Sequence, residues 1–422
     1  MADPSPKIAP ESAEPAAHPP GVLRRTFQAF HYPNFRLMWF GAFTSTTGFF
    51  VQEVAQSWLV FDITNSEFYL GLTATLNGAP ILFLSLFGGV AADRMDRRKL
   101  LLASQYVQMS SAFALAILVG LDMIQVWHIM AAALVNGVGQ AFGGPAYQAL
   151  IPSLVDKKDL PNAIALLSIQ FTLARVVGAV IGGVAFTSLG GTACFTINGL
   201  SFLAVIAALY FVHVSFVPKK SDVHVLQSLK AGLSSVYRNR VVLALVFLAP
   251  TAAFLGTPLV TLLPAFARET YMLGPKGYSM MMAFWGTGAV IGALNVAFQG
   301  NAPHKGRRSL LMQIALGGTL VAFAASSNVW VASVMLLFSG WAILGVFALV
   351  NSLVQLNAEE EMRGRIMSVY NTAFRGAMPF GNFLAGLLAS KFGAPLIVMV
   401  NGVLLILVAL GYFARKSEVT RL

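Results

Sequence analysis

The stretch Gly88-Gly-Val-Ala-Ala-Asp-Arg-Met-Asp-Arg-Arg-Lys99 stands between two long apolar segments of the chain. Small residues lead into it, and two aspartates then alternate with arginines. Small residues near the end of an apolar helix let a neighbouring helix approach closely. Carboxylates and guanidinium groups just beyond that end can form charge-assisted hydrogen bonds. The stretch therefore predicts a charged loop where membrane helices meet.

The composition of the whole chain is that of a membrane protein. Of its 422 residues, 57% are hydrophobic and 11% are charged, whereas soluble domains carry about 25% charged residues. A helix that crosses a bilayer needs about 20 mostly apolar residues. The chain contains twelve such segments, which we number as predicted spans one to twelve: 36–61, 68–92, 99–120, 126–150, 160–187, 192–216, 239–265, 277–300, 308–326, 329–354, 363–389 and 394–414.

Several classes of function are disfavoured by what the sequence lacks. Residues 1–20 contain six prolines and no apolar core, so we expect a disordered tail and no secretory signal. The single cysteine, Cys194, excludes an internal disulfide and offers no metal cluster. No phosphate-binding glycine loop or nucleophile motif is present, which argues against an ATP-driven pump and against an enzyme. We therefore expect neither a metal nor a cofactor.

The formal net charge of +11 reflects membrane topology. With the amino terminus assigned to the cytoplasm, 23 of the 28 Lys and Arg residues lie on the cytoplasmic side. Only Arg268, Lys276 and Lys391 lie on the opposite side. This is the positive-inside distribution of membrane proteins. It predicts that both termini are cytoplasmic, and no nucleic-acid partner is expected.

The chain divides at its middle into two halves of six predicted spans. The serine, threonine and arginine of 168–175 recur in 368–375 at an offset of 200, and the paired arginines of 93–99 recur in 304–309 without the aspartates. Repeated motifs at equivalent helices indicate an internal duplication. The predicted organisation is a disordered cytoplasmic tail, 1–35, a six-helix bundle, 36–216, a cytoplasmic linker, 217–238, a second six-helix bundle, 239–415, and a cytoplasmic tail, 416–422.

The 88–99 stretch resembles the G-x-x-x-D-R-x-x-R-R/K signature of the major facilitator superfamily, and it lies between spans two and three, as in that family. Other segments resemble the bacterial branch that includes the enterobactin and macrolide exporters: 56–66, 145–152, 160–165 and 363–368. The resemblance implies an all-α membrane protein of twelve transmembrane helices in two pseudo-symmetric six-helix bundles.

The resemblance also implies a function. We expect a secondary transporter of the bacterial inner membrane that exports a small organic molecule, such as a drug-like compound, a siderophore or a secondary metabolite. Alternating access, proton antiport and a monomeric state are expected with it. The alternatives are uptake, a lysophospholipid-type permease, and a sensor or assembly partner of the same fold that transports nothing.

For the charged loop, the resemblance implies gating. Asp93 falls at a helix end, where it can meet Arg97 or the amino terminus of a helix from the other half. Such a contact would stabilise the outward-open state. The alternative is a basic loop that only sets topology. The candidate gating residues are Gly89, Asp93, Arg94, Asp96, Arg97 and Arg98.

Three ionisable residues lie deep within predicted spans: Glu53, Arg175 and Arg375. A charge at the bilayer centre costs about 2.5–3.5 kcal/mol on insertion scales, so each is a functional candidate. At 1.5 Å per residue they lie about 25, 22 and 21 Å from the cytoplasmic ends of their helices. We hypothesise that Glu53 carries the transported proton and that Arg175 senses its charge or an anionic substrate group. A static Glu53–Arg175 pair that braces two helices is the alternative.

Polar residues repeat one helical turn apart in several spans, which predicts a wet central cavity. Each pair could instead join neighbouring helices by hydrogen bonds. The candidate cavity-lining residues are Gln52, Gln56, Asn136, Gln140, Asn351 and Gln355.

The glycines that follow Arg175 resemble the antiporter signature of span five, G-P-x-x-G-G. Gly178, Gly182 and Gly183 match the signature, whereas Ala179 replaces its proline. Proline would kink the helix by removing a backbone hydrogen bond. We therefore expect close helix packing at these glycines, without the kink.

Overall fold

The structure, a computed structural model, describes residues 27–212, 225–299, 304–415 and 417–422. Across these ranges the secondary structure is helical and contains no strand. The α-helices are α1 Pro33–Thr64, α2 Glu67–Arg94, α3 Arg97–Gly120, α4 Val126–Leu150, α5 Leu160–Phe211, α6 Val225–Arg238, α7 Arg240–Gly256, α8 Pro258–Ala265, α9 Pro275–Gln299, α10 Lys305–Ala325, α11 Val329–Asn357, α12 Arg363–Phe392 and α13 Ala394–Ala414.

The predicted spans lie on these helices, but at two places the helix boundaries differ from the predicted span boundaries. Spans five and six lie on α5, which breaks at Gly190, where φ is 81° and ψ is 179°. Glycine tolerates this positive φ because it has no Cβ. Span seven is divided between α7 and α8, because Pro258 begins a new helix after Thr257. In the described ranges, eight helices are long and apolar enough to cross a membrane, with α5 counted once and Arg240–Thr270, which includes α7 and α8, counted as one.

The structure is ordered further into the tails than the sequence predicted. Residues 1–26 lie outside the described ranges, but Gln28–His31 forms a 3₁₀ helix. The backbone N–H of Ala29 donates to Asn162 Oδ1 at 2.9 Å, and Tyr32 donates to Asp159 at 2.7 Å. The hydrogen bond to Asp159 is the main cause of a raised Tyr32 pKa. These contacts attach the segment to the beginning of α5, so it is not a free tail.

The carboxyl end and the linker also contain helices. Glu418–Arg421 forms a 3₁₀ helix with Val419 buried, and Gly306 N donates to Leu422 O at 3.0 Å. In the predicted linker, 217–238, residues 217–224 lie outside the described ranges and the remainder forms α6. Val236 is buried while Tyr237 is exposed, which is the pattern of an amphipathic helix on a bundle surface.

The helices pack in two sets, which we name the first helix group, α1 to α5, and the second helix group, α7 to α13. In the first, α1 packs on α5, α2 on α4, and α3 on both α4 and α5. In the second, α9 and α10 pack on α11, α10 on α13, and α7 on α11 and α12. The groups meet mainly where α2 packs on α12 and α5 packs on α9.

The contacts between the two groups lie in the helix halves remote from the basic loops. Gly71 packs against the backbone of Asn382 and Gly386, and Thr75 donates to the carbonyl oxygen of Pro379 at 2.9 Å. At the far ends, Arg268 Nη1 lies 2.8 Å from Asp62 Oδ1. The groups are therefore held together at one end.

Candidate functional site

A small polar cavity lies between the two helix groups, with a volume of about 70 Å³. Its walls come from α1 and α2 of the first group and from α8 and α9 of the second. We name it the polar cavity, and its lining residues are Glu53, Gln56, Ser57, Val60, Leu70, Thr73, Ala74, Asn77, Val260, Thr261, Tyr278 and Met282. Since both groups supply its walls, movement of one group against the other changes its shape.

A larger groove, of about 550 Å³, runs between α3 and α4. Its lining is almost entirely apolar, and it contains none of the intramembrane charges that the sequence singled out. We therefore take the smaller polar cavity as the candidate site, because charge and polar groups converge there.

Glu53 and Arg175 do not form the direct pair that the sequence allowed. Both side chains are half-buried, and they do not come within the 4.0 Å of an ion pair. They still lie close enough for their charges to interact. The two charges are therefore electrostatically coupled without being braced together by contact.

Aromatic rings surround the Arg175 guanidinium instead. Its central carbon lies 5.1 Å from the ring centroid of Phe50, 5.2 Å from that of Phe171 and 5.6 Å from that of Trp285. Cations are attracted to aromatic faces within about 6 Å, by about 0.5–2 kcal/mol for each contact. Because Trp285 belongs to α9, this cage spans the contact between the two helix groups.

The glycines after Arg175 lie in close contact with neighbouring helices. A Cβ at Gly178 would lie 2.6 Å from Phe50 Cβ, and one at Gly182 would lie 3.0 Å from Val51 Cα, so both glycines bring α5 against α1. At Gly183 a Cβ would collide with Ser279 of α9. The first two glycines therefore hold the first helix group together, and the third serves the contact between groups.

The predicted cavity-lining residues separate into different places. Gln56 lines the polar cavity. Gln52 is buried beside it, donates to Gln56 Oε1 at 3.2 Å and accepts from Asn198 at 2.7 Å, which joins α1 to α5. Gln140 donates to Gln108 Oε1 at 3.2 Å, between α4 and α3. Asn136 is buried, at 5% exposure.

The candidates of the second helix group lie away from the polar cavity. Gln355 donates to Asn351 within α11, and Gln355 is exposed. Arg375 on α12 is exposed too. Its neighbour Gly376 packs against Leu82 of α2, about midway along both helices. Arg375 therefore lies beside the contact between groups, on the side nearer the basic loops.

The charged loop makes contacts within the first helix group. Asp96 caps α3 by accepting from the backbone N–H of Arg98 at 2.9 Å. Arg97 donates to the carbonyl oxygens of Ala92 at 3.2 Å and Ala149 at 2.8 Å, which ties α2 to α4. Arg98 donates to the Tyr210 carbonyl oxygen at 2.9 Å and thereby reaches α5.

Asp93 and Gly89 make no such contacts in this state. Within the described residues, Asp93 forms neither an ion pair nor a hydrogen bond, so the expected approach to Arg97 is not made. A Cβ at Gly89 would meet nothing within 4 Å, whereas one at Gly88 would collide with the Ala141 carbonyl oxygen. Gly88, and not Gly89, is thus the close-packing glycine here.

Sequence reasoning missed four polar residues of the polar cavity: Thr73, Asn77, Thr261 and Tyr278. Thr73 and Asn77 lie one turn apart in span two, which is the same signal that marked Gln52 and Gln56 in span one. Thr261 and Tyr278 carry no such repeat. In the described ranges, no cluster of His, Cys, Asp and Glu could hold a metal ion.

Comparison with known proteins gives a consistent result. A family model described as "Transmembrane secretion effector" matches residues 25–420. The chain is 22% identical over 394 residues to macrolide efflux protein A of Streptococcus pyogenes, across 90% of this chain and 96% of that protein. It is 25% identical over 370 residues to the multidrug efflux pump Tap of Mycolicibacterium fortuitum, across 85% and 89%. It is also 25% identical over 394 residues to the enterobactin exporter EntS of Escherichia coli K12, across 90% and 94%.

Solved structures share the fold at low sequence identity. A bacterial homolog of the human lysosomal transporter Spinster, inward-facing and occupied, matches with a TM-score of 0.72 and 14% identity, over 94% of this chain and 98% of that chain. The nucleoside transporter NupG matches with a TM-score of 0.71 and 12% identity, over 91% and 99%. These likenesses establish a transporter fold.

Proposed function

The chain belongs to the transmembrane secretion effector family of major facilitator transporters, and on that premise we propose that it exports a small organic molecule by proton antiport. It is a membrane transporter and not an enzyme. The relatives are named as a macrolide efflux protein, a multidrug efflux pump and an enterobactin exporter. The proposed cargo is accordingly a drug-like compound, a siderophore or a secondary metabolite.

The proposed architecture has twelve spans in two six-helix bundles, 36–216 and 239–415, with both termini in the cytoplasm of a bacterial cell. The two helix groups support this division, because each packs mainly within itself. The excess of Lys and Arg in the loops on one side supports the orientation. A monomer suffices, since one chain supplies both walls of the polar cavity.

Alternating access accounts for the contacts between groups. They lie in the helix halves remote from the basic loops, as at Gly71 and at the Asp62–Arg268 ion pair. With the proposed orientation, this arrangement closes the outer side and corresponds to an inward-facing state. Asp93 and Gly89 are free to form the proposed latch in the opposite, outward-open state.

The observation that carries the proposal is the position of Glu53. This carboxylate faces a cavity whose walls come from both helix groups, so its access to either side changes as the groups rock. A carboxylate that binds a proton in one state and releases it in the other couples the gradient to the motion. Arg175 senses this charge change through its field, and Arg375 meets an anionic part of the cargo from the inner side.

The test uses purified full-length protein in liposomes with an internal pH-sensitive dye. A panel of macrolides and catechol-type siderophores is offered under an imposed proton gradient. We expect cargo-dependent proton movement, and cargo movement that stops when the gradient is collapsed. Specific binding with no proton or cargo movement would favour the sensor alternative. Movement of cargo with the proton, in the same direction, would favour uptake.

A further inference from the structure

We propose that the polar cavity is also a binding site for a monovalent alkali-metal ion, for which Na⁺ is the probe. The binding itself is argued from the cavity, and only its use in coupling rests on the proposed transport function. The occupant would sit between Glu53 of the first helix group and Thr261 of the second.

The charge of the cavity calls for a cation. Glu53 is the one carboxylate among the lining residues, and none of those residues is Arg, Lys or His. Arg175 does not neutralise Glu53 by contact, because it lies within its aromatic cage and outside ion-pair distance. A half-buried carboxylate within a membrane span is costly without a paired cation. A bound cation of single charge balances it.

The oxygen atoms of the cavity supply the ligands. Thr73 is 7% exposed, and its Oγ1 is buried with no hydrogen-bond partner in the described structure. Buried hydroxyl groups are normally satisfied, so an unpartnered oxygen on a residue that lines the cavity calls for a partner. Asn77 and Thr261 also line the cavity, and each carries a side-chain oxygen. Carboxylate, amide and hydroxyl oxygens are ligands of hard cations, and a single carboxylate suits a monovalent ion better than a divalent one.

The size of the cavity agrees with such an occupant. A water molecule takes about 30 Å³ in the liquid, so a cavity of about 70 Å³ has room for one small ion and one water. Such an ion would compete with a proton for Glu53. An organic cargo of the proposed kinds does not fit.

The first experiment measures thermal unfolding of the purified full-length protein in detergent, with NaCl exchanged for choline chloride at constant ionic strength and pH. A ligand that binds only the folded state raises Tm with its concentration. We expect a saturable rise of about 2–4 °C with Na⁺ and none with choline. Equal Tm values in the two salts across the whole range would overturn the proposal.

Variants locate the ion. Thr73→Val and Thr261→Val keep the side-chain shape and remove one oxygen each, so each should raise the half-saturating Na⁺ concentration about tenfold. The matched control is Thr172→Val, because this half-buried threonine lies outside the cavity and donates to the Ser168 carbonyl oxygen on its own helix. If one of the two cavity variants unfolds, equilibrium binding of radioactive Na⁺ to the other variant tests the proposal. Wild-type Na⁺ dependence in both cavity variants contradicts the proposal.

The experiments distinguish failure of the cation site from failure of the proposed transport function. Proton-coupled export in sodium-free liposomes, together with no Na⁺-dependent Tm change, would remove this inference and leave proton antiport standing. Na⁺ binding that Thr73→Val weakens, in a protein that exports no tested cargo, would support the cation site and remove proton antiport.

Discussion

The guanidinium carbon of Arg175 lies 5.6 Å from the ring centroid of Trp285, so an arginine of the first helix group meets a tryptophan of the second. Trp285 is 7% exposed, so the ring side of this contact is buried. Cation–π attraction strengthens as the partners are desolvated. The contact therefore stabilises the state in which α5 and α9 are packed together, and it must break or move when the groups separate.

Replacement of Trp285 tests this contact. We expect Trp285→Leu to lose about 0.5–2 kcal/mol of coupling to Arg175, while Trp285→Phe keeps most of it because the ring face remains. The measurement is a double-mutant cycle on thermal stability with Arg175→Met. Strictly additive effects of Trp285→Leu and Arg175→Met would show that the ring and the guanidinium are not coupled.

Two adjacent glycines near the end of α2, Gly88 and Gly89, provide a matched pair. Gly88→Ala places a methyl group against the Ala141 carbonyl oxygen and should destabilise the protein by about 1–3 kcal/mol. Gly89→Ala meets nothing within 4 Å in this state and should leave Tm unchanged. If Gly89 and Asp93 latch in the outward-open state, Gly89→Ala slows export at unchanged Tm. Equal Tm losses in the two variants would contradict the packing described.

The ion pair between Asp62 and Arg268 predicts a small, salt-dependent effect. Its side chains are 51% and 37% exposed, and such surface pairs contribute about 0.2–1 kcal/mol. Asp62→Asn should therefore favour outward opening by up to about fivefold, and less at high salt. The readout is the labelling rate of Thr261→Cys by an impermeant maleimide, with native Cys194 buried. The exchange Asp62→Arg with Arg268→Asp should restore the slow rate. If Asp62→Asn leaves the labelling rate unchanged, the ion pair does not contribute to closing the outer side.

The sequence could predict the helices because each span is long and apolar, and it could predict the intramembrane charges because charge is rare there. It could not predict the partners of those charges. Glu53 and Arg175 have suitable depth for a pair, but the rotation of α5 directs Arg175 to Phe50 and Trp285. Aromatic residues are common in spans, so nothing in the sequence distinguishes these rings.

Partners from distant segments were also beyond sequence reasoning. Thr261 and Tyr278 reach the polar cavity only because α8 and α9 pack against α1 and α2. The amphipathic helix α6 was predicted to be a plain linker. Its apolar residues are too few for a membrane span and are separated by polar residues. Arg97 was one expected partner of Asp93, whereas Arg97 and Arg98 donate to main-chain carbonyl oxygens, which every residue possesses.

The central claim is that Glu53 carries the coupled proton, and one measurement tests it most directly. Wild type, Glu53→Gln and Glu53→Asp are compared in liposomes with an exported compound and an internal pH-sensitive dye. The amide of Glu53→Gln keeps the shape but cannot bind and release a proton, so we expect cargo binding to persist while cargo-dependent proton movement falls at least about 100-fold, consistent with the loss of an essential proton-transfer group. Glu53→Asp should retain part of the activity. Wild-type proton-coupled export by Glu53→Gln would contradict the account.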